Sequence, residues 1–459
     1  MSHLRGYDAD ALSYKQTESR RGSLAPYMDI NHPEILSFMQ MRNPIGGDPN
    51  SKCFNLNHGV NISDEFMYKM FAGEDYELID PKHGPTGRML NAADVWEELM
   101  VLRKETGEPF IKFTDTVNRN IPKHITHPLY RVVQSNLCSE ITLYTSAKRT
   151  AVCCLSSPNL EMYDEWKDAG LIEDVVKFLD NVLEYFIQLA PPELGRAVHS
   201  ATKERALGVG FMGWHSFLQS RMIPFESGGV NSAMQWNKII FSELKRQGYA
   251  ASRKLAKERG EPSDCEGSGM RNSHIFAIAP NASSSDINGV SPGIEPQKAN
   301  GFMSKGRAGL FVKKNKHLDE VLRSYISCED ELNELWRSII VELEGSVQHL
   351  TFLSDLERKV FKTAVEIDSM YVVEQAAMRQ PEICQSQSLN IFVREGITAQ
   401  RMSDIHVAGW EKGVKTFYYC RAEEAVVAKI NDSNVTPPLN AVPVEIESKY
   451  GSGCLGCDG

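Results

Sequence analysis

The sequence predicts an α/β fold. Three observations carry this: four long stretches with apolar residues at helical spacing, short apolar runs between them, and an ordinary globular composition of 42% hydrophobic and 24% charged residues. In chain order, residues 23–28 read as a buried strand. Residues 164–189 read as a helix stopped by Pro191 and Pro192, and residues 237–259 as a second helix stopped by Gly260. Residues 274–279 form another apolar strand. A third helix, 354–379, opens on the capping-box pair Ser354 and Glu357 and ends before Pro381. Residues 389–393 read as a strand and residues 398–414 as an amphipathic helix, which leads into a β-like run at 415–419. At 459 residues the chain is long for one core, so two or three packed units are the default.

A net charge of −10 argues against a nucleic-acid backbone as partner, and any phosphate ligand must be held by local geometry. No run of eighteen apolar residues exists and the first residues lack an apolar signal region, so no membrane is expected and the cytoplasm is the predicted location. Ten cysteines in a chain this long do not suggest a disulfide scaffold. After about Val427 the composition shifts to Asn, Pro, Gly and Ser, which reads as a mobile tail ending in Cys454-Leu-Gly-Cys457. This divides the chain into a body, 1–427, and a tail, 428–459.

Residues 135–140, "SNLCSE", place an amide, a thiol and a carboxylate on alternate positions. On an extended segment Asn136, Cys138 and Glu140 would share one face; on a helix they would not. A neighbouring carboxylate disfavours a thiolate, so chemistry here should use S–H or a sulfur radical. A packed cysteine on a half-buried strand is the plain alternative. The run "AVCCLS" carries Cys153 and Cys154 facing opposite sides, so at most one can share a pocket with Cys138; core packing is the preferred reading for Cys154. The turn Asn281-Ala282-Ser283-Ser284 follows an apolar run and could hold an anion on backbone N–H groups and hydroxyls, or be a simple serine-rich turn.

Gly208, Gly210 and Gly213 match G-x-G-x-x-G, but a polar segment precedes them and no acidic residue sits at the expected position ~20 residues on. A strand-to-helix turn is the better reading. Tyr418 and Tyr419 form an aromatic strand or a pair able to pass an electron and a proton. Cys454 and Cys457 lack a second ligand pair nearby, so no metal site is expected and a redox dithiol is preferred to half a zinc site. Thirty-four residues lie between Tyr419 and Cys454, a reach of roughly 30–35 Å for a flexible chain.

Taken together, "RRGSLAPYMDINHPEIL", "SNLCSEI", "AVCCLSSPNL", "RALGVGFMGWHSFLQ", "PNASSS", "NGVSPGIEP", "QSQSLNIF" and "GVKTFYY" resemble the large, catalytic subunit of class I ribonucleotide reductases, in matching order along nearly the whole chain. The resemblance implies most of a ten-stranded α/β barrel with Cys138 on an interior loop. Its implied activity is thiyl-radical reduction of ribonucleoside diphosphates to deoxyribonucleotides. Cys138 would become the thiyl radical that abstracts the ribose 3′ hydrogen. Glu140 would take the 3′-hydroxyl proton and Asn136 would bond the sugar hydroxyls. Cys153 would be one of two reducing cysteines, and the Asn281, Ala282, Ser283 and Ser284 turn would hold the diphosphate. Tyr418 and Tyr419 would relay the radical from a separate metal-containing small subunit, with no cofactor bound by this chain. Cys454 and Cys457 would re-reduce the active-site disulfide and be recharged by thioredoxin or glutaredoxin. The loop from Arg42 to Ser51 resembles the one linking the specificity effector to base selection; a plain Gly/Pro surface loop is the alternative.

Three departures stand out. The tail pair is spaced more closely than the family often shows, and Ala282 stands where the family has members with glutamate. The third is larger: the family's first barrel strand, which carries the second reducing cysteine, has no counterpart here, because Cys53 is the first cysteine and does not match that motif. The chain therefore resembles the C-terminal part of a split subunit, as in phage enzymes encoded in two pieces, with an N-terminal companion chain supplying the early strands and the chain inactive alone. The alternatives are a non-catalytic fragment or scaffold retaining the motifs, and a stand-alone thiol–disulfide oxidoreductase using Cys454 and Cys457.

Overall fold

The computed structural model describes residues 1–17, 20–306 and 309–422. Its centre is a four-stranded sheet in the order Thr416–Phe417, Phe110–Phe113, Gly59–Ile62, Tyr27–Asp29. The last three strands run parallel, with Val60 opposite Ile111 and Tyr27 opposite Gly59, while Thr416–Phe417 is antiparallel to its neighbour. Gly59 is required by a close approach: a Cβ there would lie 2.3 Å from the Tyr27 ring, which crosses the strand at this point.

Backbone contacts continue the line beyond that sheet. The N–H of Tyr418 donates to the Leu389 carbonyl, and Ile391–Val393 runs parallel to Cys420–Ala422. Single parallel bridges join Gln387 to Ile278 and Phe276 to Val209. Leu207–Val209 then pairs in parallel with Cys154–Ser156. These strands thus form an open arc of mostly parallel neighbours, a partial barrel. Apart from it, Asp75–Asp80 with Gly84–Asn91 and Gly301–Gly306 with Gly309–Lys314 make separate antiparallel pairs. Gly59–Ile62, Phe110–Phe113, Leu207–Val209 and Ile391–Val393 are buried on both faces, as parallel strands under helices are, whereas Tyr27–Asp29 and Cys154–Ser156 are only partly covered.

Capping side chains place the helices. Ser232 accepts from the Gln235 N–H to open Ala233–Arg259, which packs on Leu171–Leu189 and Ser369–Arg379. Asn91 opens Ala92–Thr106, and Gly107, at φ 79°, ends it. A separate apolar cluster, including Leu318, Leu322, Leu332, Trp336 and Phe361, lies beneath the helices Lys316–Tyr325, Glu329–Arg337 and Asp355–Val360.

Several expectations are corrected. The predicted helix 164–189 is two, Tyr163–Trp166 and Leu171–Leu189, because Gly170 adopts a left-handed conformation between them. The predicted helix 354–379 also breaks. Its capping box forms as expected, but Asp355–Val360 stops at Phe361 and Asp368 caps a second helix, Ser369–Arg379. The run 274–279 makes only isolated bridges, and 415–419 pairs only at Thr416–Phe417 before a new strand begins at Cys420. The glycine motif is the strand-to-helix turn expected, between Leu207–Val209 and Trp214–Gln219. Among the described residues no helix is long and apolar enough to cross a membrane.

Candidate active site

Residues 136–140 are not a strand. They form a turn in which Ser139 takes φ 66° and its N–H donates to the Asn136 carbonyl. Asn136 and Glu140 therefore meet through a turn, not through alternation. Asn136 Oδ1 accepts from the Ile141 N–H at 3.1 Å, and the Asn136 side chain also hydrogen-bonds Glu140.

Distant residues hold this turn. Tyr27 Oη donates to the Asn136 carbonyl and lies 2.9 Å from Ser139 Oγ. Thr416 Oγ1 donates to the Ser139 carbonyl at 2.9 Å. Ser388 Oγ lies 2.6 Å from the Cys138 carbonyl oxygen and 3.1 Å from Glu140 Oε2. With one hydroxyl hydrogen facing two acceptors, Ser388 serves the backbone when Glu140 is protonated and can serve either when it is not. Burial pushes the Glu140 carboxyl above its ordinary range, while hydrogen bonds from Asn136 and Ser388 pull it down. A carboxyl held this way can accept a proton and return it.

Tyr418 Oη reaches Cys138 Sγ at 3.7 Å. The Tyr418 and Tyr419 rings are 4.2 Å apart between centroids, and Phe110 packs against both at 4.6 and 5.0 Å. Both tyrosines are buried. Arg103, fully buried beneath them, donates from Nη2 to the Tyr418 carbonyl at 3.0 Å. Asn390 Oδ1 accepts from the Tyr419 N–H at 3.0 Å, and the Arg421 guanidinium lies 4.5 Å from the Tyr419 ring centre.

Cys153, just before the strand Cys154–Ser156, and Cys154, its first residue, face opposite sides. Cys154 packs on the main core; Cys153 packs with Ile141, Leu143, Ala206 and Ala277 behind the turn. Gln385 Nε2 donates to Cys153 Sγ at 3.5 Å, while Gln385 Oε1 accepts from the Thr142 N–H at 3.1 Å. One amide thus links the strand of Cys153 to the chain just after Glu140. Burial pushes the Cys153 thiol up, and the Glu140 carboxylate adds to this, so the sulfur is held as S–H. Gly208 makes room for it: a Cβ there would lie 3.0 Å from Cys153 Sγ.

The segment 281–284 is a left-handed Asn281 at φ 59° followed by the short helix Ala282–Asn288. Asn281 Nδ2 donates to Ser284 Oγ at 3.2 Å, and Asn281 Oδ1 is buried without a hydrogen-bond partner. In the loop after Arg42, Gly46 and Gly47 take positive φ and Asp48 caps Pro49–Ser51. Cys53 is sealed in the main core. Cys454 and Cys457 lie outside the described residues, as does the boundary at 427.

Tyr27, Gln385, Ser388 and Thr416 were not singled out from sequence. The motif "QSQSLNIF" contained two of them, but a serine or glutamine within an apolar run carries no local sign of what it touches across the fold.

A family model described as "Ribonucleotide reductase, barrel domain" matches residues 1–268 and 263–420. The putative ribonucleoside-diphosphate reductase large subunit of Frog virus 3 is 44% identical over 421 residues, covering 91% of this chain and 73% of that protein. The large subunit of Invertebrate iridescent virus 3 is 39% identical over 514 residues, covering 100% of this chain and 79% of its own length. The solved class Id ribonucleotide reductase alpha subunit of Actinobacillus ureae superposes with a TM-score of 0.77 at 37% identity, covering 88% of this chain and 72% of that one. The chain belongs to the ribonucleotide reductase barrel family. It is an enzyme, with the function of a ribonucleoside-diphosphate reductase large subunit.

Proposed function

We propose that this chain reduces ribonucleoside diphosphates by thiyl-radical chemistry at Cys138, within a complex containing a radical-generating small subunit and an N-terminal companion chain. The contact of Tyr418 Oη with Cys138 Sγ is the observation that carries this reading, and Ser388 bridges the Cys138 carbonyl and Glu140 Oε2 on the same turn. Tyr418, having first lost its own hydroxyl hydrogen atom to oxidised Tyr419, takes the hydrogen atom of the Cys138 S–H, and the sulfur radical then takes the ribose 3′ hydrogen. Glu140 accepts the 3′-hydroxyl proton and Asn136 bonds the sugar hydroxyls. The 2′ oxygen leaves as water, while two thiols supply two electrons and two protons and become a disulfide.

Cys153 is proposed as one of those thiols. Cys53 is buried in the core and Cys154 packs on the opposite face, which favours a second thiol from the companion. The residues 281–284 are proposed for the diphosphate, because the first turn of a helix offers N–H groups to an anion. The small subunit, whose metal centre supplies the oxidising radical, is proposed to work through Tyr419 and Tyr418. Cys454 and Cys457, in a tail spanning 428–459 beyond the body 1–427, are assigned on sequence to re-reduce the disulfide, recharged by thioredoxin or glutaredoxin in the cytoplasm.

The test is CDP reduction by this chain with a radical-bearing small subunit and dithiothreitol, alone and in complexes captured from its native host. Activity confined to the captured complex and abolished by Cys138→Ser is expected. Activity that survives Cys138→Ser would remove the central residue from the mechanism.

A further inference from the structure

The oxygen of Tyr419 is met by a side chain that the relay itself does not use. Asn57 Nδ2 lies 3.0 Å from Tyr419 Oη and 2.6 Å from Glu108 Oε1. A carboxylate oxygen only accepts, so the amide must present its NH2 group here, with one hydrogen on Glu108 and the other on the phenol. Glu108 is in turn fully engaged. Its Oε2 accepts from the His58 backbone N–H at 3.1 Å and lies 3.0 Å from His58 Nδ1, while Arg42 Nε stands 3.7 Å from Oε1. His58 Nε2 faces the Met39 carbonyl at 3.1 Å. Both ring nitrogens of His58 therefore face oxygen, one on Glu108 and one on the backbone. Asn57, His58 and Glu108 are all buried. The backbone closes the unit, since the Cys420 N–H, next to Tyr419, donates to the Gly107 carbonyl, next to Glu108.

A buried carboxylate needs several donors, and these four contacts supply them. Burial asks only that the second hydrogen of the amide find an acceptor, and the acceptor it finds is the oxygen of the relay residue. Resting on the relay reading above, we propose that Glu108 is a positioning residue for Tyr419: it orients Asn57 so that an N–H donor is fixed on the phenol oxygen before and after oxidation. Tyr419 O–H gives one electron and one proton to the small-subunit radical, which they reduce. Its oxygen then takes a hydrogen atom from Tyr418 O–H, and Tyr418 takes one from Cys138 S–H. Asn57 donates throughout and transfers nothing. Its donor is pre-set on the oxygen, so that it need not reorganise as the phenol is oxidised.

The experiment uses the complete enzyme, with its small subunit and companion, carrying Tyr419→3-aminotyrosine to trap the radical at that position. With 15N-labelled asparagine, the trapped radical should show a 15N hyperfine coupling, a readout that needs no further variant to fold. In the same background Asn57→Leu should remove the coupling and raise the gx value of the radical, and Glu108→Gln should broaden gx. With tyrosine at 419, Asn57→Leu should lower kcat roughly tenfold with an unchanged KM for CDP. A radical trapped without 15N coupling, or with gx unmoved by Asn57→Leu, would overturn the proposal and leave the relay intact. No radical at 419 would overturn the relay and the proposal together.

Discussion

The cluster beneath residues 316–361 and the site around Cys138 are built in opposite ways. In the former, Leu318, Leu322, Leu332 and Trp336 make a dry core from neighbouring helices. Its charges stay outside, as where Arg323 pairs with Asp319 one turn away and with Glu329. The site buries amides, hydroxyls and carboxyls, several of them held by partners far along the chain. Ser388 meets Glu140 across 248 positions, and Asn57 meets Tyr419 across 362. The first design yields stability from local pattern. The second fixes reacting groups in place, because a buried polar group left unpaired is costly. Substitutions should therefore separate: those in the site should lower turnover, and those in the cluster should lower stability.

A large effect is expected from Glu140→Gln, which keeps an acceptor for Ser388 but cannot take a proton. Turnover should fall by roughly 10²–10⁴ while the melting temperature barely moves. A variant that instead unfolds would erase the distinction between the two regions. In the outer cluster, Trp336→Ala removes a fully buried ring and its hydrogen bond to Asp319 Oδ1. Denaturant unfolding should show a loss of about 3–5 kcal/mol, with activity per folded molecule unchanged.

A pH experiment sharpens the comparison at the border of the site. Burial raises the Glu204 carboxyl to about 7, although Tyr130 and Ser200 hydrogen-bond it. Its folded-state value lies above the unfolded one, so the stabilisation is fully present below about pH 4.5 and is lost as pH rises through 7. Thermal melts should thus decline between pH 5 and 8, and Glu204→Gln should flatten that decline by on the order of 2 kcal/mol. An unaltered slope would place the titration on another group. The smallest effect belongs to Ser354→Ala, which removes one half of a capping box and should cost about 1 kcal/mol with no change in turnover.

What could be read from sequence follows the same division. The capping box at Ser354 and the stop at Gly260 were legible because a helix end is decided within a few residues. The helix breaks at Gly170 and Phe361 were missed because apolar spacing continues across them, and a glycine inside such a pattern does not by itself say that it turns left-handed. At the site, the residue types were legible as a constellation, while the geometry was not. Alternation suggested that Asn136, Cys138 and Glu140 share a strand face, whereas a left-handed Ser139 turns the chain instead. Tyr27 and Ser388 stayed invisible, since nothing near them in sequence hints at the turn they hold.

The most direct test of the account is the rate of dCDP formation by the complete enzyme carrying Tyr418→Phe. The ring and its packing on Phe110 remain, and only the hydroxyl 3.7 Å from Cys138 Sγ is lost. Loss of turnover with an unchanged melting temperature is the predicted result. Turnover at the parent rate would contradict the account, because hydrogen would then reach and leave Cys138 by a route that does not pass through Tyr418.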